Sequence, residues 1–112
     1  MNKTHLMHVN PDYFALLKSG GKSVEFRVND LKRQKILAGD KINFIRQNKP
    51  NFNIILPVSK VIKSDSFNSL LKEIPPAMLG GISIQQQLTD LRNLYDADFE
   101  NKHGVIAIVL ET

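Results

Sequence analysis

The stretch from Gly104 to Leu110 restricts the possible folds more than any other part of the chain. Val105-Ile106-Ala107-Ile108-Val109-Leu110 is apolar at every position. A strand with one wet face alternates apolar and polar residues, so an unbroken apolar run opened by glycine marks a strand covered on both faces and central to a sheet. A second stretch behaves differently. Along residues 23–28, Val24, Phe26 and Val28 point to one side, while Ser23, Glu25 and Arg27 point to the other. One face is oily. The opposite face sets a carboxylate beside a guanidinium, with the ammonium of Lys22 at the strand mouth.

The remaining elements can be placed around these two. Thr4 to Val9 is extended in character. Asn10 offers an N-cap ahead of Pro11 and Asp12, and Tyr13, Phe14, Leu16 and Leu17 supply the buried stripe of a short helix closed by Gly20 or Gly21. After the strand 23–28 comes a polar, basic loop over 29–38. Gly39-Asp40 turns the chain into a strand at 41–45 with Ile42 and Phe44 inward, and residues 47–53 read as a hairpin connection. A longer strand over 54–62 contains Pro57, whose missing N–H predicts an edge position or a bulge. Ser66 caps a short helix reaching Lys72, and Ala77 to Leu79 form a brief turn. Ser83-Ile84-Gln85-Gln86 matches a capping box, and Ile84, Leu88, Leu91 and Tyr95 fall on one face of a helix over 83–95. Asp96 to Lys102 adds a further helical turn. About five strands, with helices inserted before the last, indicate an α+β fold: a small, strongly bent barrel or sheet with helices packed at its openings. The 112 residues suit one domain over 1–112.

Composition removes several functional classes. With no cysteine there is neither a disulfide framework nor a thiolate metal site. No apolar run approaches the ~18 residues of a membrane span, and no leader is evident, so a soluble, cytoplasmic protein is expected. His5 and His8, three apart on a strand, point to opposite faces without a third ligand, so no metal or other cofactor is expected. Gly21-Lys22-Ser23 imitates the end of a phosphate-binding loop. Leu16 occupies the position of the glycine that loop needs, however, and a helix precedes the strand instead of following it. Charge is informative by its distribution. Residues 1–63 hold 12 Lys and Arg against four acids, whereas residues 64–112 hold three against seven. Such asymmetry focuses positive potential on one surface and suits a polyanion.

Lys22, Glu25 and Arg27 put three charges of both signs within six residues. An exposed strand face bearing an ion pair worth about 0–1 kcal/mol would give the same pattern. The segment also resembles a known family, the ASCH domains of the PUA-like superfamily. Gly21-Lys22-Ser23-Val24-Glu25-Phe26-Arg27, with Gly20 before it as the first glycine, is similar to the family's G-x-K-x-x-E-x-R signature, and Ala38-Gly39-Asp40-Lys41-Ile42 to its G-D turn. Tyr13-Phe14 with Lys18-Ser19-Gly20 resembles the opening helix. Leu91 to Tyr95 and His103-Gly104-Val105-Ile106-Ala107-Ile108 resemble the closing helix and last strand, with His103 in place of the usual tyrosine.

This resemblance implies a PUA-like β-barrel whose cleft, lined by the signature residues, binds RNA or a nucleotide-like ligand. Lys22, Ser23 and Arg27 would meet phosphate or a base edge, Glu25 would orient Arg27 or accept from a base amino group, and Lys41, Arg46 and Lys32-Arg33-Lys35 would widen the phosphate track. One branch of the family consists of amidohydrolases acting on N4-acetylcytidine through a lysine, a threonine and a glutamate. Lys22 matches the lysine, but the threonine position holds Glu25 and the carboxylate position falls near Gly80 or Gly81. Acid–base work by Lys22 and Glu25 on a modified nucleoside, cleavage of RNA, and a protein–protein adaptor with a solvated strand face remain the alternatives.

Overall fold

The computed structural model describes residues 2–112. β1 (Thr4–Val9), β2 (Val24–Val28), β3 (Lys41–Arg46), β4 (Asn53–Ser64) and β5 (Val105–Leu110) form a sheet in the order β1-β3-β4-β5-β2. β1 lies parallel to β3, and the other neighbours are antiparallel. α1 (Pro11–Ser19) joins β1 to β2, while α2 (Phe67–Leu71), α3 (Ile84–Leu94) and α4 (Ala97–His103) lie between β4 and β5.

β5 is buried along its whole length, and its alternate residues serve two cores. Ile106, Ile108 and Leu110 pack with Met7, Ile42, Phe44 and the α1 residues Phe14 and Leu17. Val105, Ala107 and Val109 pack with Phe26, Phe67, Leu71 and Leu91 on the other side. Fully burying one such aliphatic side chain contributes about 1.5–3 kcal/mol, so neither face of β5 has room for a polar residue.

β4 gives the sheet its curvature. Its first half pairs with β3 and its second half with β5, and the register shifts between Val58 and Lys60. Pro57 sits just before that shift, opposite Lys41 at the start of β3. The proline therefore sits at the changeover beside the bulge: its ladder partner is on β3 alone and β5 begins to pair only at Val58, so its missing N–H falls where the strand has one neighbour. The resulting bend brings the two ends of the strand order together. Arg27 Nη2 on β2 donates to the His8 carbonyl on β1 at 3.0 Å, so a side chain closes a seam that no ladder closes. The sheet is a half-barrel.

Helix ends follow the capping chemistry read from the chain. Asn10 accepts from the Tyr13 N–H, Ser66 from Ser69 and Ser83 from Gln86. The capping box at Ser83 is only half formed, because the Gln86 amide donates to Asp90 instead. The buried face of α3 also differs from its apolar spacing. Gln87 and Leu91 are buried and Leu88 and Tyr95 partly so, while Ile84 stays 41% exposed. The helix turns a polar flank inward because it also walls a cleft.

The junction between α4 and β5 depends on Gly104, at φ 71° and ψ −171°. A Cβ there would stand 3.0 Å from the Ser64 carbonyl oxygen. Gly104→Ala is expected to cost about 1–3 kcal/mol, seen as a lower urea midpoint at unchanged slope. An unchanged midpoint would contradict this reading of the junction.

Candidate functional site

Alternation along β2 sends Val24, Phe26 and Val28 into the second core and turns Glu25 and Arg27 toward the seam. All five residues of the strand are buried, so its charged face is not a solvated surface. Lys22 is 0% exposed, Glu25 1% and Arg27 8%. Glu25 Oε1 lies 3.7 Å from Lys22 Nζ, and Glu25 Oε2 lies 3.7 Å from Arg27 Nη2. Oε1 also accepts the Phe26 N–H at 2.9 Å. Lys22 Nζ stands 3.9 Å from the centre of the Tyr13 ring, a cation–π contact.

The local backbone explains how a lysine becomes so enclosed. After α1 the chain folds back, and the Lys22 N–H donates to the Leu16 carbonyl at 3.0 Å. Lys22 also bridges to Leu79. Gly80, at φ 68°, lets this loop lie against it, since a Cβ at residue 80 would stand 3.2 Å from Lys22 Cβ. Burial pushes the Lys22 ammonium below its usual pKa, partly offset by Glu25. For Glu25 burial acts in the opposite sense, but Lys22 and Arg27 outweigh it and hold the carboxyl below its ordinary value. The Tyr13 hydroxyl is pushed well above its usual range, first by burial and then by its hydrogen bond to Asp90.

Beside this trio opens a cleft of about 420 Å³. Glu25 and Arg27 line it together with the β1 residues Met7, His8 and Val9. Tyr13 comes from α1, and Gln87, Asp90, Leu91 and Leu94 from α3. Lys32 and Arg33, on the loop after β2, add positive charge. Several buried groups here keep unused hydrogen-bonding capacity. Lys22 Nζ, Glu25 Oε2, Arg27 Nε and both amide heteroatoms of Gln87 have no hydrogen-bond partner among the described residues. Gln87 comes near enough to Tyr13 to oppose the rise of its pKa, yet neither atom of its amide reaches hydrogen-bonding geometry there. Native structures leave few such groups, and their concentration beside this cleft makes it the candidate site.

The structure divides the expected site residues. Lys22, Glu25 and Arg27 converge, with Lys22 behind Tyr13 and off the cleft lining. Ser23 is half-buried; its main chain bonds to Met78 and Leu110, and it does not line the cleft. Lys41 is exposed at the start of β3, and Arg46 lies at its end against Phe52 in a separate groove. Lys32 and Arg33 reach the cleft and Lys35 does not. Among the described residues, no group of three or more His, Asp or Glu is placed to hold a metal ion, and no helix is long and apolar enough to cross a membrane. Gln87, Asp90 and the Tyr13 hydroxyl escaped the sequence reading. Gln87 was detectable as a polar residue four before Leu91, interrupting the buried stripe of its helix.

Removing one charge from a buried ionic group leaves the others uncompensated, whereas replacing an unpartnered amide with an apolar side chain removes a penalty. Glu25→Gln is therefore expected to lose about 3–5 kcal/mol in urea unfolding. Gln87→Leu should be neutral or stabilising in the same assay. A destabilised Gln87→Leu would mean that the amide is satisfied in the free protein.

Over residues 7–112 the sequence matches the ASCH domain. The crystal structure of hypothetical protein PH0355 is similar at 30% identity over 97% of both chains, with a TM-score of 0.80. Protein PF0455 from Pyrococcus furiosus, solved by NMR in solution, is 31% identical over 96% of both chains, with a TM-score of 0.71. The crystal structure of ASCH from Zymomonas mobilis is 16% identical, a likeness of fold alone. Its TM-score is 0.64, over 97% of this chain and 67% of that one. No curated protein matches the sequence. The domain match spans nearly the whole chain and agrees with the half-barrel and the signature on β2: this protein belongs to the ASCH domain family.

Proposed function

We propose that this protein binds RNA, or a nucleotide-like part of it, in the cleft beside β2. One observation supports this above the others: buried polar groups with unused capacity gather at a single concavity bordered by cations. A volume of about 420 Å³ falls within the ~300–1,000 Å³ typical of small-ligand sites. It suits one unstacked base, the form in which sequence-specific proteins usually meet RNA. The unpartnered atoms are buried in the free protein, so side-chain movement on binding would turn the Gln87 donor and acceptor to a base edge, Glu25 Oε2 to an amino group and Arg27 Nε to an acceptor. Lys32 and Arg33 meet phosphate at the cleft. Family membership points the same way.

A hydrolytic role draws on the lowered pKa of Lys22, a feature of catalytic lysines. Three observations favour binding over that role. Lys22 Nζ sits over the Tyr13 ring and Lys22 does not line the cleft. Gly80 lies against Lys22, where the amidohydrolase resemblance would put a carboxylate, and supplies none. Glu25, held ionised by two cations, is a weak base for RNA cleavage.

Titration of fluorescent single-stranded RNA at several salt concentrations tests the proposal. Affinity should fall as salt rises, and Lys32→Ala or Arg33→Ala should lower the slope of log K against log salt by about 0.7 per lost phosphate contact. Absence of binding at low salt would overturn it. Release of acetate from N4-acetylcytidine, or cleavage of the RNA, that disappears in Lys22→Met would favour the hydrolytic reading.

A further inference from the structure

We infer that a second nucleotide subsite lies outside the cleft, in the groove between α1 and the β3–β4 hairpin; the inference rests on the RNA-binding reading above. This groove, of about 300 Å³, is lined by Pro11, Phe14, Ala15 and Lys18 on one side and by Arg46, Lys49 and Phe52 on the other. Three of these seven residues are cationic and none is acidic.

Phe52 is 50% exposed, the most exposed aromatic side chain among the described residues. Water is a poor environment for a phenyl ring, but a nucleobase stacks on it regardless of sequence. The ring belongs to an ordered turn. Phe52 N–H donates to the Lys49 carbonyl at 3.0 Å, and the Phe52 carbonyl accepts from Arg46 N–H at 3.0 Å. The Arg46 guanidinium stands 6.0 Å from the ring centre. A platform with cations on its borders is the usual composition of a single-strand binding surface.

The groove and the cleft adjoin. Val9 pairs with Arg46, and the Gln47 N–H donates to the Val9 carbonyl at 2.9 Å. Asn10 and Gln47 line the cleft, whereas their chain neighbours Pro11 and Arg46 line the groove. A strand with one base in the cleft can thus cross Asn10 and Gln47 and lay a neighbouring segment's base on Phe52. Its phosphates then fall among Lys18, Arg46 and Lys49. The occupant is single-stranded nucleic acid, defined by a phosphodiester backbone and stackable bases.

The test compares nucleoside monophosphates, short oligoribonucleotides and polyglutamate on the intact protein. Phe52→Ala should weaken oligonucleotide binding about 5- to 150-fold, leave monophosphate binding unchanged, and be rescued by Phe52→Tyr. The pair Lys18→Ala and Lys49→Ala should lower the salt slope by about 1.4, the loss expected for two phosphate contacts. Wild-type oligonucleotide affinity in Phe52→Ala, with monophosphate binding intact, would overturn the subsite and spare the cleft. Equal loss of monophosphate and oligonucleotide binding would merge the two sites and overturn it as well. Polyglutamate binding as tight as RNA would reduce the groove to a generic polyanion surface. Failure of the wild-type protein to bind any nucleotide would remove the cleft reading and this inference together.

Discussion

The Glu25 carboxylate, enclosed between Lys22 and Arg27, is the interaction on which the rest of the structure depends. An isolated carboxylate in a protein interior is strongly disfavoured, and so is an isolated ammonium. Here each makes the other tolerable, and Arg27 adds a second function. The same guanidinium that flanks Glu25 also donates to His8, drawing β2 to β1 where the sheet has no ladder. Charge compensation and closure of the half-barrel are therefore one arrangement. Both ion pairs lie at 3.7 Å, which is close enough for attraction and too long for a hydrogen bond. That looseness leaves the groups with capacity for a further partner.

The fold supplies what the trio needs. β5 accepts apolar cover on both faces, which allows one core beneath α1 and another beneath α2 and α3. β2, paired to β5 at the end of the sheet, inherits this two-sided burial, so the polar half of its alternation is enclosed. The irregularity after Pro57 bends β4 and brings the ends of the sheet together. The cleft occupies the region where β1, β2, α1 and α3 meet.

Much of this was legible in the chain. Unbroken apolarity predicted the two-sided cover of β5, and period-two alternation separated Val24, Phe26 and Val28 from Glu25 and Arg27. Caps at Asn10, Ser66 and Ser83 are local chemistry, and a sequence shows them directly. Tertiary features were harder to see. Nothing local states that Arg27 reaches across to His8, 19 residues away. Tyr13 reads as a core residue from its helical spacing, yet its ring covers Lys22 and its hydroxyl meets Asp90, 77 residues on. Lys41 and Arg46 share a strand with the right charge, but register and the hairpin carry them away from the cleft. Of the bases in the first half of the sequence, Arg27, Lys32 and Arg33 line the cleft, Lys18, Arg46 and Lys49 line the groove beside Phe52, and the rest line neither.

The most direct measurement is an NMR titration of the Glu25 side-chain carboxyl carbon. Because Lys22 and Arg27 favour the charged form, its midpoint should lie below the ordinary 4.5. The stability contributed by this group should then be complete above pH 4.5 and decline only as the pH falls below that value. A midpoint at or above 4.5 would show that burial outweighs the two cations, and would contradict the arrangement from which the site is built.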